Sequence, residues 1–237
     1  MEAKTAIILA GGFGTRLQEL ISDLPKPMAP VNNRPFLTYL LDFLESYGIT
    51  DVVICTGYLA QKISAYYGNS YKNISLRYSH EDSPLGTGGA IKQALGLCSD
   101  ETVFVLNGDS FFDIDLQKFY KLHLPTDAVV SIALRRVDDS SRYGSIETDK
   151  ENRITRFTEK TAGAHPGSIS AGIYLINTRP FLQHAPAQPA FSIEKDFFEK
   201  QLKKLTFKGY LFEGYFIDIG IPSDYKRAQH ELRGSED

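Results

Sequence analysis

The chain has 237 residues, 26 Lys and Arg against 29 Asp and Glu, and a formal net charge of −3. At 42% hydrophobic and 23% charged it has the composition of an ordinary globular protein, which excludes a disordered, collagenous or disulfide-scaffolded chain. The near-neutral balance argues against a nucleic-acid binder that works by broad phosphate neutralisation, and no run reaches the roughly 20 apolar residues that span a bilayer.

The opening MEAKTAIILAGG carries an acid at Glu2 and a short apolar run broken by glycine, so it does not read as a signal peptide. A cytoplasmic, reduced protein is expected. Thr5–Leu9 has the pattern of a strand buried on both faces. Pro35–Tyr47 reads as a helix closed by Gly48, Asp51–Thr56 as a strand, Leu59–Tyr67 as a helix and Ser75–Tyr78 as a strand. Gly88–Leu97 follows as a helix and Thr102–Leu106 as a strand. This βαβα alternation predicts a mostly parallel sheet with helices on both faces.

The second half changes character. Ala128–Arg135, Gly144–Thr148, Ile154–Thr158 and Ser170–Ile176 read as strands, followed by a charged helix over Ile193–Lys203. Phe207–Glu213 and Tyr215–Ile217 read as strands and a last helix begins at Ser223. Thr161–Gly167 reads as a loose loop and the final GSED as a frayed tail. With no internal repeat and no low-complexity linker, a single domain over residues 1–233 with a mixed insertion is the economical organisation. Cys55 and Cys98 sit in apolar runs without ligand or redox spacing and read as packing residues. The five histidines never fall at HxH or HxxxH spacing, so a zinc site is not expected.

Chemistry concentrates in a few stretches. Leu9-Ala-Gly-Gly-Phe-Gly-Thr-Arg-Leu17 follows a buried strand; its Gly11, Gly12 and Gly14 let the backbone approach a ligand and turn N–H groups toward an anion, and Arg16 adds a permanent charge. This is neither a GxGxxG dinucleotide fingerprint nor a GxxxxGK[ST] phosphate loop. Pro25 and Pro27 hold Lys26 in a stiff frame, which suggests a placed charge. Asp109 ends the apolar run VFVLNGD at the carboxyl edge of a strand, where open α/β sheets place ligands, and Asp218 follows YFI in the same way.

With Gly86-Thr-Gly-Gly-Ala-Ile91, Asn107-Gly-Asp109, Phe157-Thr-Glu-Lys160, Ser170-Ala-Gly-Ile-Tyr174 and Asp218-Ile-Gly-Ile-Pro-Ser-Asp-Tyr225, these stretches resemble the sugar-nucleotidyltransferase family, the nucleoside-diphosphate-sugar pyrophosphorylases, in the family's order over nearly the whole chain. The resemblance implies a Rossmann-like three-layer α/β/α fold with a mostly parallel mixed sheet, the nucleotide-diphospho-sugar transferase type. It implies an enzyme that joins a nucleoside triphosphate and a sugar 1-phosphate with release of pyrophosphate. A sugar 1-phosphate is itself a nucleophile, so the protein needs to hold two polyanions in line and offset charge on the α-phosphate.

By the resemblance, Asp109 and Asp218 hold Mg²⁺ and pyrophosphate leaves near Arg16 and Lys26. The nucleotide contacts Leu9, Ala10, Gly11, Gly12, Gly14, Thr15, Glu81 and the Gly86-Thr87 turn. Glu159 takes sugar hydroxyls, Lys160 takes the sugar phosphate, and Gly144 and Gly172 line the sugar pocket. Asn107 reaches the sugar or is a satisfied turn residue. Capping explains Ser192, Glu194 and Asp196, although a similar family run would turn Glu194 or Asp196 toward the site. Arg135, Arg136 and Arg142 look like another phosphate cluster, but a solvated strand end and loop is the preferred reading.

Within the family the chain looks most like bacterial D-glycero-α-D-manno-heptose 1-phosphate guanylyltransferases, with mannose 1-phosphate guanylyltransferases close behind and uridylyl or thymidylyl transfer as further alternatives. GTP and the heptose 1-phosphate are the implied substrates, and the product would feed a surface polysaccharide or glycoprotein. No appended β-helix domain, nucleic-acid partner or membrane partner is expected, and a homodimer is implied only at family level. Two other classes remain as alternatives. Asp113-Ile-Asp115 matches the DxD of glycosyltransferases but reads better as a helix start, and a non-catalytic relative would have lost the charged set that this chain keeps.

Overall fold

Four apolar runs become the parallel strands β1 (Thr5–Leu9), β2 (Asp51–Thr56), β3 (Ile74–His80) and β4 (Thr102–Asn107). The structure is a computed structural model that describes residues 3–12, 17, 21, 23–158 and 165–232. After β4 come the short β5 (Ser110–Phe112) and the inserted strands β6 (Val130–Val137), β7 (Ser145–Thr148), β8 (Ile154–Thr158) and β9 (Gly167–Asn177). β10 (Phe207–Leu211) and β11 (Phe216–Asp218) complete the set. The main sheet has eight strands in the order β10-β6-β9-β4-β1-β2-β3, with Ser70–Tyr71 at the edge. Only β9 and that edge strand run against the others, so the sheet is mixed and mostly parallel as expected.

The reason for three layers is visible in the alternation along β1, β2 and β4. Ile8, Ile54, Phe104 and Leu106 face one apolar cluster, and Ile7, Val53, Val103 and Val105 face another. Both sets are buried, so successive residues of one strand each need a covering layer. The first cluster is covered by α1 (Phe36–Ser46), through Phe36, Leu40 and Leu44, by α2 (Ala60–Tyr67), through Ile63, and later by Leu116 and Phe119. The second is covered by α3 (Gly86–Leu95), with Ala90, Ile91 and Ala94, and by Phe181, Phe197 and Phe198 from the chain's second half. Two-phase burial of this kind is what the near-continuous apolar strands demanded.

Departures from the sequence reading are local. The helix expected at Gly88–Leu97 begins two residues earlier and ends at Leu95. α4 (Leu116–His123) starts where Asp115 caps it, the carboxylate accepting from the Lys118 N–H at 2.9 Å, so Asp113-Ile-Asp115 is a helix start. α5 (Thr178–His184), directly after β9, was not anticipated. The helix expected over Ile193–Lys203 is a π-turn at Ile193–Phe198 running into Glu199–Gln201. The last helix, α6 (Pro222–Glu231), starts with proline in its first turn. Cys55 is fully buried and Cys98 half-buried, and burial pushes both thiols up, that of Cys98 to about 11. No described helix is long and apolar enough to cross a membrane.

Candidate active site

A two-stranded ribbon makes the site. β11 pairs antiparallel with β5 in a register that sets Asp218 opposite Ser110, and the Ile219 N–H donates to the Asp109 carbonyl at 2.9 Å. Asp109 leaves the carboxyl end of β4 through Gly108, whose N–H prolongs the β1 pairing to the Leu9 carbonyl. The two carboxylates are thereby neighbours although more than a hundred positions separate them in sequence. Burial, then the charge of Asp109, holds the Asp218 carboxyl above the usual carboxylate range, while the Lys26 ammonium and the Gly220 N–H oppose that shift. The Gly220 N–H donates to Asp218 Oδ1 at 2.7 Å.

Lys26 begins a 3₁₀ turn, Lys26–Met28, entered from Pro25, and its Nζ lies 2.5 Å from Asp109 Oδ2. A Cβ built on Gly220 would stand 2.7 Å from Asp218 Oδ1 and 3.0 Å from Lys26 Nζ, so only glycine leaves this corner open. Two crowded carboxylates with an ammonium against one of them form a centre that favours a hard cation. Two oxygen donors of this kind suit Mg²⁺, which takes one or two carboxylates and completes its shell with water and substrate phosphates. Among the described residues no larger His, Cys, Asp and Glu cluster with ligand geometry occurs.

Two cavities meet at Asn107 and Asp109. The larger, about 400 Å³, runs along the carboxyl ends of β1 and β4 and the start of α3. Leu9, Ala10, Gly11, Gly12, Lys26, Glu81, Gly86 and Thr87, to which the resemblance gives nucleotide or pyrophosphate contacts, all line it, together with Pro27 and with Pro84, Ala90 and Gly220, to which it gives no contact. Glu81 is half-buried there, which raises its pKa, and its Oε2 accepts from the Leu85 N–H at 3.0 Å. Gly86 has φ +68°, and a Cβ on it would meet the Phe191 carbonyl oxygen at 2.7 Å. That close approach staples the second half of the chain onto α3: Gly88 N–H donates to the Phe191 carbonyl at 3.0 Å and Ile193 N–H donates to Thr87 Oγ1 at 3.0 Å.

The smaller cavity, about 160 Å³, is polar and is lined by Asn107, Asp109, Gly172 and Asp218 from the expected set. Ser110, Arg142, Tyr143, Ser170, Tyr174 and Phe216 were not assigned to it from sequence, and Glu194, which also lines it, reads from sequence as part of a cap or as a residue turned toward the site. β9 shifts register between Ser170 and Tyr174, and Ser170, Gly172 and Tyr174, alternate residues of this strand, line the cavity. Gly144 lines neither cavity; its neighbour Tyr143 does, with burial and the nearby Asp218 pushing the phenol up to about 12. Gly14, Thr15, Arg16, Glu159 and Lys160 lie outside the described residues, as do Thr161–Ala164 of the loose loop and the GSED tail.

Three readings need sharpening. Arg142 is an exposed loop residue as expected, but it is also paired: its Nη1 donates to Asp224 Oδ2 at 2.8 Å. Arg135 is tied down as well, donating to the Gly214 carbonyl, while Arg136 is exposed as expected. Glu194 lines the smaller cavity, whereas its neighbours take the capping roles. Ser192 Oγ accepts from the Lys195 N–H, and Asp196 Oδ2 accepts from the Ser192 N–H. The SxExD run therefore held two signals, a cap and a site residue, two positions apart.

The chain is 44% identical over 229 residues to D-glycero-alpha-D-manno-heptose 1-phosphate guanylyltransferase of Aneurinibacillus thermoaerophilus, covering 96% of this chain and 98% of that one. It is 42% identical to the protein of the same name from Campylobacter jejuni, covering 93% and 96%. The crystal structure of HddC from Yersinia pseudotuberculosis complexed with GMP-PN superposes with a TM-score of 0.83 at 35% identity, over 97% of this chain and 100% of that one. The nucleotidyl transferase family model matches residues 5–235. With the carboxylate pair, the placed lysine and the glycine-lined cavity in one continuous cleft, the chain belongs to the nucleotidyl transferase family.

Proposed function

We propose that the chain transfers a guanylyl group from GTP to D-glycero-α-D-manno-heptose 1-phosphate, giving GDP-heptose and pyrophosphate in the cytoplasm. The observation that carries the reading is the Asp109–Asp218 pair, with Asp109 in the wall of both cavities and Asp218 beside it in the smaller one, since a reaction between two phosphate esters needs one centre open to both. The names of the two relatives above 40% identity support the choice of substrates.

In this reading the nucleotide occupies the larger cavity and the sugar phosphate the smaller. A phosphate oxygen of the sugar 1-phosphate attacks the α-phosphorus, and the bond from that phosphorus to the bridging oxygen of the β-phosphate breaks. Pyrophosphate leaves with the electron pair. Asp109 and Asp218 would hold Mg²⁺, which supplies charge neutralisation at the phosphates. Lys26, half-buried and held by its two prolines, stands beside Asp109 and offsets negative charge that builds toward the leaving group. Gly11 and Gly12 let the backbone come close to the triphosphate. Glu81 supports guanine over pyrimidines: its carboxylate lies in the wall of the larger cavity, and guanine offers two adjacent donors on its pairing edge.

The test is pyrophosphate release with Mg²⁺, crossing four nucleoside triphosphates with heptose, mannose, glucose and N-acetylhexosamine 1-phosphates. Release confined to GTP with the manno-heptose phosphate is the expected result. Turnover of another pair would overturn the substrate assignment and keep the reaction; no pyrophosphate from any pair in folded protein would overturn the reaction itself.

A further inference from the structure

The smaller cavity sets one cation among several acidic side chains. Asp109, Asp218 and Glu194 all line it, and among the described lining residues Arg142 is the one cation. Asp109 is paired with Lys26, and with Asp218 it would hold the metal, so a phosphate monoester in this cavity is best served by a further fixed cation on its own side of that centre. Lys26 does not fill that need, because it lines the larger cavity on the other side of Asp109.

Arg142 has the geometry for the task. It sits in the loop before β7, one residue from Tyr143, with its guanidinium 5.2 Å from the centre of that ring. Asp224, 8% exposed in the first turn of α6, accepts from Arg142 through Oδ2 and from Arg227 through Oδ1 at 3.1 Å. The carboxylate is thus held from the far side by Arg227, and it fixes the Arg142 fork while using one of its five donors. The side chain keeps 38% of its surface open and forms part of the cavity wall beside Asp218. A planar fork with free donors, pinned at one end, is a recognition element for phosphate oxygens. An ion pair that only tied α6 to the loop would have no reason to face the cavity.

We propose that Arg142 is an anchor for the phosphate of the acceptor sugar 1-phosphate, and that Asp224 is the positioning residue that presents it. Arg142 is then the acceptor-side counterpart of Lys26. The inference rests on the nucleotidyl-transfer reading for the identity of the anion and extends it to a residue pair that this reading does not require. Lys160, to which the family resemblance assigns the same phosphate, does not conflict with it, since a dianion with three terminal oxygens accepts from more than one cation.

The experiment measures steady-state pyrophosphate release and, separately, equilibrium binding to the full chain of heptose 1-phosphate and of heptose without its phosphate. Arg142→Ala is expected to raise KM for the sugar phosphate about ten- to hundred-fold, the loss of a charge-assisted hydrogen bond, with KM for GTP unchanged. Arg142→Lys should recover part of the loss, and Asp224→Asn should raise the same constant by less. In the reverse direction Lys26→Ala should weaken pyrophosphate while Arg142→Ala should not. In the binding assay the wild type should prefer the phosphorylated sugar and Arg142→Ala should lose that preference. An unchanged preference, or an equal rise in both substrate constants, would overturn the assignment. Should Arg142→Ala fail to fold, Arg142→Lys and Asp224→Asn carry the same comparison. A wild type that binds the phosphorylated sugar through Arg142 but releases no pyrophosphate would overturn the reaction and leave Arg142 in place.

Discussion

The two cavities are built in different ways. The larger one is made at the carboxyl ends of consecutive β–α units, where β1, β4 and the start of α3 each deliver a short motif, and its wall is mostly glycine, small apolar side chains and backbone. The smaller one is assembled from residues 107–110, 142–143, 170–174, 194 and 216–218, which meet only because β9 and β11 run back antiparallel onto β4 and β5. Its wall is side-chain polar groups and charge. The first side suits a triphosphate held by main-chain N–H groups, and the second suits a hydroxylated, charged sugar that must be told from its isomers. Nucleotide affinity is thus spread over backbone, whereas acceptor choice rests on a few side chains.

The largest effect should come from the one place that the two sides share. Asp109→Asn and Asp218→Asn are expected to abolish turnover, measured as pyrophosphate release at saturating substrates, because each removes half of the carboxylate pair. Loss on only one side, with normal turnover at high sugar phosphate, would show that the cavities do not meet there. Lys26→Ala should come next, lowering kcat by about 10²–10³ and changing either KM less, the pattern of a group that acts on developing charge. A change in KM alone would assign Lys26 to ground-state binding.

Gly86→Ala tests the staple between the halves. With φ +68° and the Phe191 carbonyl in the way, the substitution is expected to cost about 1–3 kcal/mol of stability in a denaturation curve. Because Phe191 leads directly into Glu194, both substrate constants should rise together. Glu81→Gln should have a smaller, one-sided effect: KM for GTP rises and KM for the sugar phosphate holds, since only the larger cavity includes residue 81.

The smallest effect belongs to a residue in neither cavity. His123 on α4 is buried with Nδ1 2.7 Å from Ser131 Oγ, and burial keeps its pKa below the ordinary value despite the nearby Asn177 side chain. The unfolded chain takes up this proton first, so the stability that the neutral ring contributes is present above about pH 6.5 and is lost as pH falls from there through the lowered folded value. The thermal midpoint should drop between pH 7 and pH 5.5 in the wild type, and less in His123→Gln, with both KM values at pH 7 unaltered.

The same contrast explains what could be read from sequence. β1, β2 and β4, α1, and the wall of the larger cavity follow from local signals, such as buried apolar runs ending in Gly11-Gly12 or Asn107-Gly-Asp109 and the Gly86-Thr87 turn, each within a dozen residues. Tyr143 and Phe216 carry no local mark, and Arg142 carries only that of a basic cluster; the antiparallel return of β9 and the β5–β11 register bring them to one place with Ser170. Arg142 beside a loop reads as solvated until its partner Asp224, 82 positions away, is known. Glu194 was visible but was explained by capping, because its neighbours Ser192 and Asp196 do cap the turn. The register shift in β9, the π-turn at Ile193–Phe198 and the short α5 are likewise products of tertiary packing that no single segment encodes.

The most direct measurement of the central claim, that one carboxylate pair serves both substrates, is Mn²⁺ binding followed by its paramagnetic signal, in wild type, Asp109→Asn and Asp218→Asn, with and without a non-hydrolysable GTP analogue. The account expects wild type to bind Mn²⁺ more tightly when the analogue is present and both variants to lose most of that gain, with circular dichroism showing them folded. Equal Mn²⁺ affinity in all three proteins, with equal pyrophosphate release at limiting Mg²⁺, would contradict it.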